Sequence, residues 1–423
     1  MSNAKDGVRI TELSNGVRVV TDRMASVESV SLGAWLNVGT RHEVAAENGV
    51  AHLLEHMVFK GTRRRNALQI AEEIEAVGGH MNAYTAREQT AYYVKVLKED
   101  VPLGVDILSD ILTNSTFDET ELTRERHVIL QEIGQAADTP DDIVFDYFQE
   151  TAYPDQAMGR PVLGRSEIVR DMSRDGVMSF IGGNYAGDIL VFSAAGNVEH
   201  DKVVEEVERG FGKLAPKTGA KTEAAVYKGG ESRVEKDLEQ LHLLLGFEGM
   251  GFHDEDFYAQ QVLSMLFGGG MSSRLFQEVR EKRGLVYSVY SFSAAYHDGG
   301  MFSIYAGTGE KDVAELVPVV CDELKDVAGN VTEQEVERAR TQLRSGLLMS
   351  RESTSNRCEQ LAQHMLVYGR PVPVEELVAK VDAVDTAAIR RTAKRLLASA
   401  PTLAALGPTS QLESYDSIRA RLN

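Results

Sequence analysis

The sequence predicts an α+β fold made of two homologous domains, each with a mostly antiparallel sheet and helices packed on one side. Three observations lead to this prediction: the chain repeats itself at an offset of about 210 residues, short segments alternate apolar and polar residues, and longer segments carry apolar residues at helical spacing. Each half reads as a helix, a strand pair, a pair of long helices and a closing strand. With 423 residues, 43% of them hydrophobic, the chain is long enough to bury two cores.

In the first half, alternation predicts a strand over Thr90 to Leu97, followed by a helix over Val105 to Leu112. A longer helix is predicted from Asp118 to Gln135, because Asp118 and Glu121 form a capping box and apolar residues keep helical spacing beyond it. Ile189 to Ala195 is predicted as the closing strand. In the second half, strands are predicted within Ser288 to Ile304.

The repeat marks the domain organisation. The segment from Leu214 to Arg233 is rich in Lys, Ala, Gly and Thr and separates the two copies. We therefore predict an N-terminal domain at 1–213, a linker at 214–233 and a homologous C-terminal domain at 234–423. The matching segments are Asp100-Val101 with Asp312-Val313, Phe117 to Glu121 with Val331 to Glu335, and Gly159-Arg160-Pro161 with Gly369-Arg370-Pro371, at offsets of 212, 214 and 210.

The net charge of −19 argues against a nucleic-acid partner, because binding to a phosphate backbone needs clustered Lys and Arg. The same charge favours basic substrates, or serves solubility alone. No apolar run approaches 18 residues, and Met1 to Val20 has neither an apolar signal core nor an Arg-rich amphipathic pattern. We expect a cytoplasmic protein that does not associate with membranes.

The pentapeptide His52-Leu53-Leu54-Glu55-His56 is the strongest functional signal in the chain. In a helix, His52 and His56 lie one turn apart on the same face, so both imidazoles can bind one zinc ion while Glu55 reaches its bound water. The alternative is an amphipathic helix whose Leu53, Leu54 and neighbouring Met57 pack in a core while the polar residues face water.

A hydrolytic zinc site normally has three protein ligands, and the predicted helix from Asp118 to Gln135 offers Glu125 and Glu132 on one face. The second copy of the repeat tests this interpretation, since a merely structural helix face should persist in both copies. It does not persist there. The positions that answer to His52, Glu55, His56, Glu125 and Glu132 hold Gln260, Leu263, Ser264, Ala339 and Gly346.

With these residues the chain resembles the pitrilysin or insulinase family of zinc peptidases, inverzincins with H-x-x-E-H and a glutamate 76 residues after the second histidine, here Glu132. The flanking segments Asn48 to Ala51, Phe59 to Thr62 and Gly78 to Thr85 also match. The resemblance covers nearly the whole chain and is strongest to two-domain bacterial members and to the catalytic subunit of the mitochondrial processing peptidase. It implies a processing-peptidase-like metallohydrolase fold.

The resemblance also implies roles for individual residues. His52, His56 and Glu132 would hold one Zn²⁺ per chain, and Glu55 would act as the general base. Glu125 would orient a ligand histidine. The site is then that of a zinc-dependent metalloendopeptidase (a hydrolase).

Two further sites follow from the resemblance. Arg280 and Tyr287 match an Arg/Tyr pair that contacts the substrate carbonyl in relatives, although a basic helix end stopped by Gly284, with Tyr287 half-buried on a strand, explains the same residues. The segment Asn82, Ala83, Tyr84 and Thr85 resembles an edge strand that pairs with an extended peptide.

The predicted function is therefore zinc-dependent hydrolysis of extended or unfolded peptides, including basic presequence-like ones. Because the long members of the family close four such domains around a chamber, two domains imply a dimer. We expect a homodimer, with a heterodimer containing an inactive relative as the alternative. The competing functional class is a noncatalytic peptide-binding or scaffold relative of the processing peptidases.

Overall fold

A computed structural model describes residues 7–217 and 222–423, so residues 218–221 of the predicted linker, and the first six residues of the predicted N-terminal domain, lie outside the described part. The strands in chain order are β1 Val8–Glu12, β2 Arg18–Arg23, β3 Ser29–Leu36, β4 His80–Thr85, β5 Thr90–Leu97, β6 Leu190–Gly196, β7 Gly230–Glu235, β8 Leu241–Glu248, β9 Val286–Ala295, β10 Gly300–Thr308 and β11 Thr402–Gly407.

Fifteen α-helices are found within the described residues. In chain order they are α1 Val50–Met57, α2 Ala67–Ala76, α3 Val101–Thr113, α4 Glu119–Ala137, α5 Pro140–Ala152, α6 Ser166–Asp171, α7 Arg174–Asn184, α8 His200–Phe211, α9 Phe257–Gly268, α10 Val313–Gly329, α11 Glu333–Ser350, α12 Thr354–Tyr368, α13 Val374–Asp382, α14 Thr386–Leu397 and α15 Tyr415–Leu422.

The described residues form two compact units, each built from more than one stretch of the chain. The first unit contains residues 7–134, 160–217, 222–223 and Met349–Pro373, and the second contains Gln135–Gly159, Ala224–Leu348 and Val374–Asn423. Helix α5 therefore belongs to the second unit and α12 to the first. The domain boundaries at 213 and 234 stay a prediction, and β7 lies partly within the predicted linker.

The sheet of the first unit has six strands in the order β1-β2-β6-β3-β5-β4. All neighbouring strands are antiparallel except β2 and β6, which run parallel. Strand β4 is at the edge of the sheet and pairs with β5 through Asn82 opposite Tyr93, Ala83 opposite Tyr92 and Thr85 opposite Thr90. The predicted peptide-binding segment is thus an edge strand.

Both faces of this sheet are covered by helices. Alternate residues of β6 divide between them: Leu190, Phe192 and Ala194 lie in the main core, where α3 and α8 pack, while Val191 and Ala195 contact α12. The α+β class and the mostly antiparallel sheets are confirmed. The sequence predicted helices on one side of the sheet, and the structure has in addition α12 on the opposite face.

The second unit repeats this plan around the five-stranded sheet β7-β11-β8-β10-β9. Helices α9, α10 and α14 pack over one core, and α5 covers the opposite face with Val144 and Phe148. Strands β7 and β11 are parallel and the other pairs are antiparallel.

The sequence did not locate β1, β2, β3, β7, β8 or β11. Strand β3 reads Ser-Val-Ser-Leu-Gly-Ala-Trp-Leu and is buried along nearly its whole length, so it lacks the alternation that identifies a half-exposed strand. The predicted strand from Thr90 to Leu97, in contrast, is found with the same bounds as β5. In the described residues, no helix combines the length and apolarity that crossing a membrane requires.

Candidate active site

The pentapeptide forms most of α1. His52 and His56 lie one turn apart, with ring centroids separated by 4.8 Å and planes inclined by 66°. Leu53, Leu54 and Met57 are buried in the core on the other side of the helix. The helix is therefore amphipathic, but its polar side is not an open solvated face, because His52 is only 9% exposed.

The start of α1 is held by a buried carboxylate from an earlier loop. Glu43 is 4% exposed, and its Oε2 accepts hydrogen bonds from the Gly49 backbone N–H at 3.0 Å and the Asn48 amide at 2.9 Å. Its Oε1 accepts from the Ala51 N–H at 2.9 Å. Burial raises the pKa of Glu43 to about 7, against the opposing effect of these hydrogen bonds. Glu43 thus supplies the cap that Gly49, at φ 99°, has no side chain to provide.

Glu132, on α4, faces both histidines. Its Oε2 lies 3.9 Å from Nε2 of His52 and 3.7 Å from Nε2 of His56, and one ligand atom from each residue lies within 4.8 Å of the others. Ligands bound tetrahedrally at about 2.0–2.1 Å are roughly 3.3 Å apart. Two imidazole nitrogens and one carboxylate oxygen at these separations fit a zinc ion with an open fourth position.

The electrostatics of His52 suit a neutral ligand. Burial, followed by the nearby His56, lowers the pKa of His52 to about 4, so its nitrogen lone pair is available at neutral pH. Among residues 7–217 and 222–423, Nδ1 of His52 has no hydrogen-bond partner although it is buried.

Glu125, the second acid that the sequence predicts on this face, contacts His56 rather than the gap between the histidines. Its Oε2 lies 3.1 Å from Nδ1 of His56, and Lys60 Nζ lies 2.9 Å from its Oε1. Burial alone would raise the pKa of Glu125, but its hydrogen bonds with His56 and Lys60 outweigh burial and lower it. An ionised Glu125 holds the His56 ring with Nε2 directed toward Glu132.

Glu55 lies on the same helix face and is held from the edge strand. The Thr85 hydroxyl donates to Glu55 Oε2 at 2.6 Å. Burial raises the pKa of Glu55, although the Thr85 hydrogen bond and the nearby His56 oppose the shift. Such a carboxyl group is better able to take up and release a proton near neutral pH than an exposed glutamate.

Arg280 and Tyr287 belong to the second unit and contact each other. The Arg280 guanidinium carbon lies 5.0 Å from the Phe276 ring centroid and 5.5 Å from that of Tyr287. Arg280 is in a π-helical turn, Phe276–Glu281, and Tyr287 is the extra residue of a β-bulge, because Ser288 pairs with Gly307 and Val286 with Thr308.

The alternative interpretation of this pair expects Tyr287 to be half-buried, and that expectation is wrong. The Tyr287 side chain is 77% exposed because the bulge turns it out of the sheet. Gly284, at φ 66°, ends the helical turn as expected.

The structure brings His52, Glu55, His56, Glu125, Glu132 and Thr85 together within the first unit. Sequence reasoning gave no role to Lys60, Glu43 or the Thr85 hydroxyl. Lys60 carried a recognisable signal, since it follows His56 by four residues, the spacing of one helix turn. Glu43 carried none, because its partners are fixed by a loop conformation.

Comparison with known proteins identifies the family. The model described as Insulinase (Peptidase family M16) matches residues 18–166, and the model described as Peptidase M16 inactive domain matches residues 171–343. An uncharacterized zinc protease of Rickettsia bellii is 42% identical over 96% of this chain and 99% of its own length. The mitochondrial-processing peptidase subunit beta of Mus musculus is 37% identical over 97% of this chain and 86% of its own length.

The fold has solved counterparts as well. The crystal structure of a protease from Helicobacter pylori superposes with a TM-score of 0.87 at 22% identity, covering 95% of this chain and all of that one. The predicted family and fold class are confirmed. The chain belongs to peptidase family M16, whose relatives of about 40% identity are named zinc proteases.

Proposed function

We propose that the chain is a zinc-dependent metalloendopeptidase with one zinc ion per chain, held by His52, His56 and Glu132. The observation that carries the proposal is the convergence of these three ligand atoms within 4.8 Å beside the buried Glu55. A zinc ion bound there would supply Lewis acidity and lower the pKa of a water molecule. The names of the relatives support zinc as the metal.

Glu55 acts as the general base in this proposal. It accepts a proton from the attacking water and delivers it to the leaving amine, and burial, which raises its pKa, suits both transfers. Glu125 holds His56 through Nδ1 and is itself held by Lys60. Neither Glu125 nor Lys60 has to exchange a proton with substrate in this mechanism.

The substrate is an extended or unfolded peptide that pairs with the edge strand at Asn82, Ala83, Tyr84 and Thr85. Backbone hydrogen bonds to β4 supply affinity for a conformation rather than for one sequence. Basic, presequence-like peptides are the preferred class, in keeping with the net charge of −19. In a dimer, Arg280 and Tyr287 of one subunit donate hydrogen bonds to the carbonyl of a substrate bound at the zinc of the other subunit, as negative charge develops on the carbonyl oxygen.

The working enzyme is a homodimer acting in the cytoplasm. The alternative is a heterodimer, since one relative is named as the beta subunit of a processing peptidase. Sedimentation velocity across a concentration series, with activity measured in the same samples, distinguishes these assemblies. A fully active monomer would contradict both.

Catalysis is tested with internally quenched fluorescent basic peptides, comparing the wild type with Glu55→Gln and with the exposed control Glu99→Gln. Metal analysis should give one zinc per chain in all three proteins. We expect cleavage by the wild type and by Glu99→Gln, and none by Glu55→Gln. Binding of peptide without cleavage by any of them would instead favour the noncatalytic peptide-binding class.

A further inference from the structure

The two faces of the edge strand β4 meet two different carboxylates. Side chains alternate along a strand, so Ala83 and Thr85 face α1, where Thr85 reaches Glu55, while Tyr84 faces α12. There the Tyr84 hydroxyl donates to Glu359 Oε1 at 3.1 Å. Any peptide that adds to β4 must therefore place alternate side chains beside these two different surroundings.

The α12 side of β4 carries a row of aromatic rings. Trp35 of β3 stacks on Tyr93 of β5 at 6.4 Å between centroids, and Tyr93 contacts Tyr84 at 6.3 Å. Helix α12 packs over β2, β6 and β3, so Trp35 is buried while Tyr93 and Tyr84 are half-exposed toward the sheet edge. These three residues are called the aromatic shelf.

Glu359 stands at the border of the aromatic shelf with its carboxylate exposed. In the described ranges 7–217 and 222–423, it has no cationic partner. The nearby Arg357 is paired with Asp22 instead. Lys95 is farther along the strand pair, opposite His80, so positive charge increases away from Tyr84.

We propose that the aromatic shelf and Glu359 form a subsite for one arginine or lysine side chain of a peptide paired with β4. A cross-strand neighbour of Tyr84 would have its Cβ about 4.5–5.5 Å from that of Tyr84. Its methylene chain covers the half-exposed rings, and its cation reaches the ring faces and the Glu359 carboxylate.

The subsite makes the preference for charge specific to one position. The peptide residues directly before and after the arginine or lysine face the α1 side, where Thr85 and Glu55 lie, and gain nothing from Glu359. A cation placed four residues along, beside His80 and Lys95, meets a like charge. This inference rests on the proposed pairing of peptide with β4 and adds the side-chain class and the position.

The test uses one fluorogenic peptide that the wild type cleaves at a single bond. Each residue within four positions of that bond is replaced in turn by Arg, Gln or Glu. We expect one position at which Arg exceeds Gln by about 5- to 10-fold in kcat/KM, the scale of one exposed cation–π contact together with one exposed ion pair. Raising the salt concentration should reduce that ratio.

Variants of Glu359 test whether this residue causes the preference for Arg. Glu359→Gln should lower the Arg-to-Gln ratio toward one, and Glu359→Lys should favour Glu at the same position. Glu352→Lys makes the same charge change at an exposed site in the same unit and should keep the wild-type preference. An unchanged Arg preference in Glu359→Lys would overturn the proposal.

A binding measurement tests the subsite independently of the proposed catalytic activity. If the wild type cleaves nothing, fluorescence anisotropy measures its binding to one labelled basic peptide in which Arg, Gln or Glu replaces each residue in turn. Arg-selective binding that is lost in Glu359→Gln supports the subsite even then. Binding without any dependence on Glu359, or no binding at all, contradicts it.

Discussion

Thr85 Oγ1 lies 2.6 Å from Glu55 Oε2, so the edge strand directly holds the proposed general base. The hydroxyl donates to one carboxylate oxygen and leaves the other for a water molecule. The backbone of the same residue lies on the strand that is proposed to bind peptide. The arrangement therefore joins substrate pairing and proton transfer in one residue.

Replacing Thr85 by Val should lower kcat by about 10- to 100-fold, the scale of a hydrogen bond to a charged group. The backbone edge is unchanged, so KM should change little. Thr85→Ser keeps the hydroxyl and should retain most of the activity. Steady-state kinetics with zinc content measured in each sample checks this, and wild-type kcat in Thr85→Val would refute the positioning role.

The contact between Glu125 and His56 predicts a dependence of metal affinity on Glu125. Glu125→Gln keeps the shape of the side chain but loses the charge that orients His56, so zinc should bind about 10- to 100-fold more weakly. Competition with a chromophoric chelator measures the change. Glu121→Gln, an earlier residue of the same helix, is the control, and equal affinities in both variants would contradict the prediction.

The low pKa of His52 predicts that the zinc-free protein loses stability in mild acid. Its folded pKa is about 4 and its ordinary value is 6.5, so the unfolded chain binds more protons between these values. The contribution of His52 to the free energy of unfolding is complete above pH 6.5. It falls by up to about 1.4 kcal/mol per pH unit as the pH decreases toward 4. Denaturant unfolding of chelator-treated protein at several pH values measures it. His52→Gln should flatten this part of the profile, and an identical slope would refute the assignment.

The Tyr287 ring contacts Arg280, whereas the Tyr287 hydroxyl is proposed to contact substrate, so a substitution that removes only the hydroxyl tests the catalytic role. Tyr287→Phe keeps the cation–π contact but removes the donor, so kcat should fall about 10-fold or more if the hydroxyl meets developing charge. Tyr290→Phe, on the same strand, should remain near wild type. Single-turnover rates that are unchanged in Tyr287→Phe would leave the pair with a structural role only.

Much of the candidate site could be predicted from local sequence patterns, because three of its residues lie on one short helix. His52, Glu55 and His56 need only 3.6-residue periodicity to share a face, and Glu132 is two turns from Glu125 on one helix. The strand Thr90 to Leu97 was predicted because one side is exposed and alternation survives. Strand β3 was missed because burial on both faces removes that alternation.

The sequence by itself determined the family, the α+β class and the three residues that are proposed to hold zinc, because each depends on residue types at fixed spacing within single elements. Only the tertiary structure decided which side chains support them: Glu43 at the start of α1, Thr85 on Glu55 and Glu359 beside Tyr84. These contacts join residues up to 275 positions apart. No local pattern encodes such pairs, since their distances are set by the packing of loops, strands and helices on the sheet.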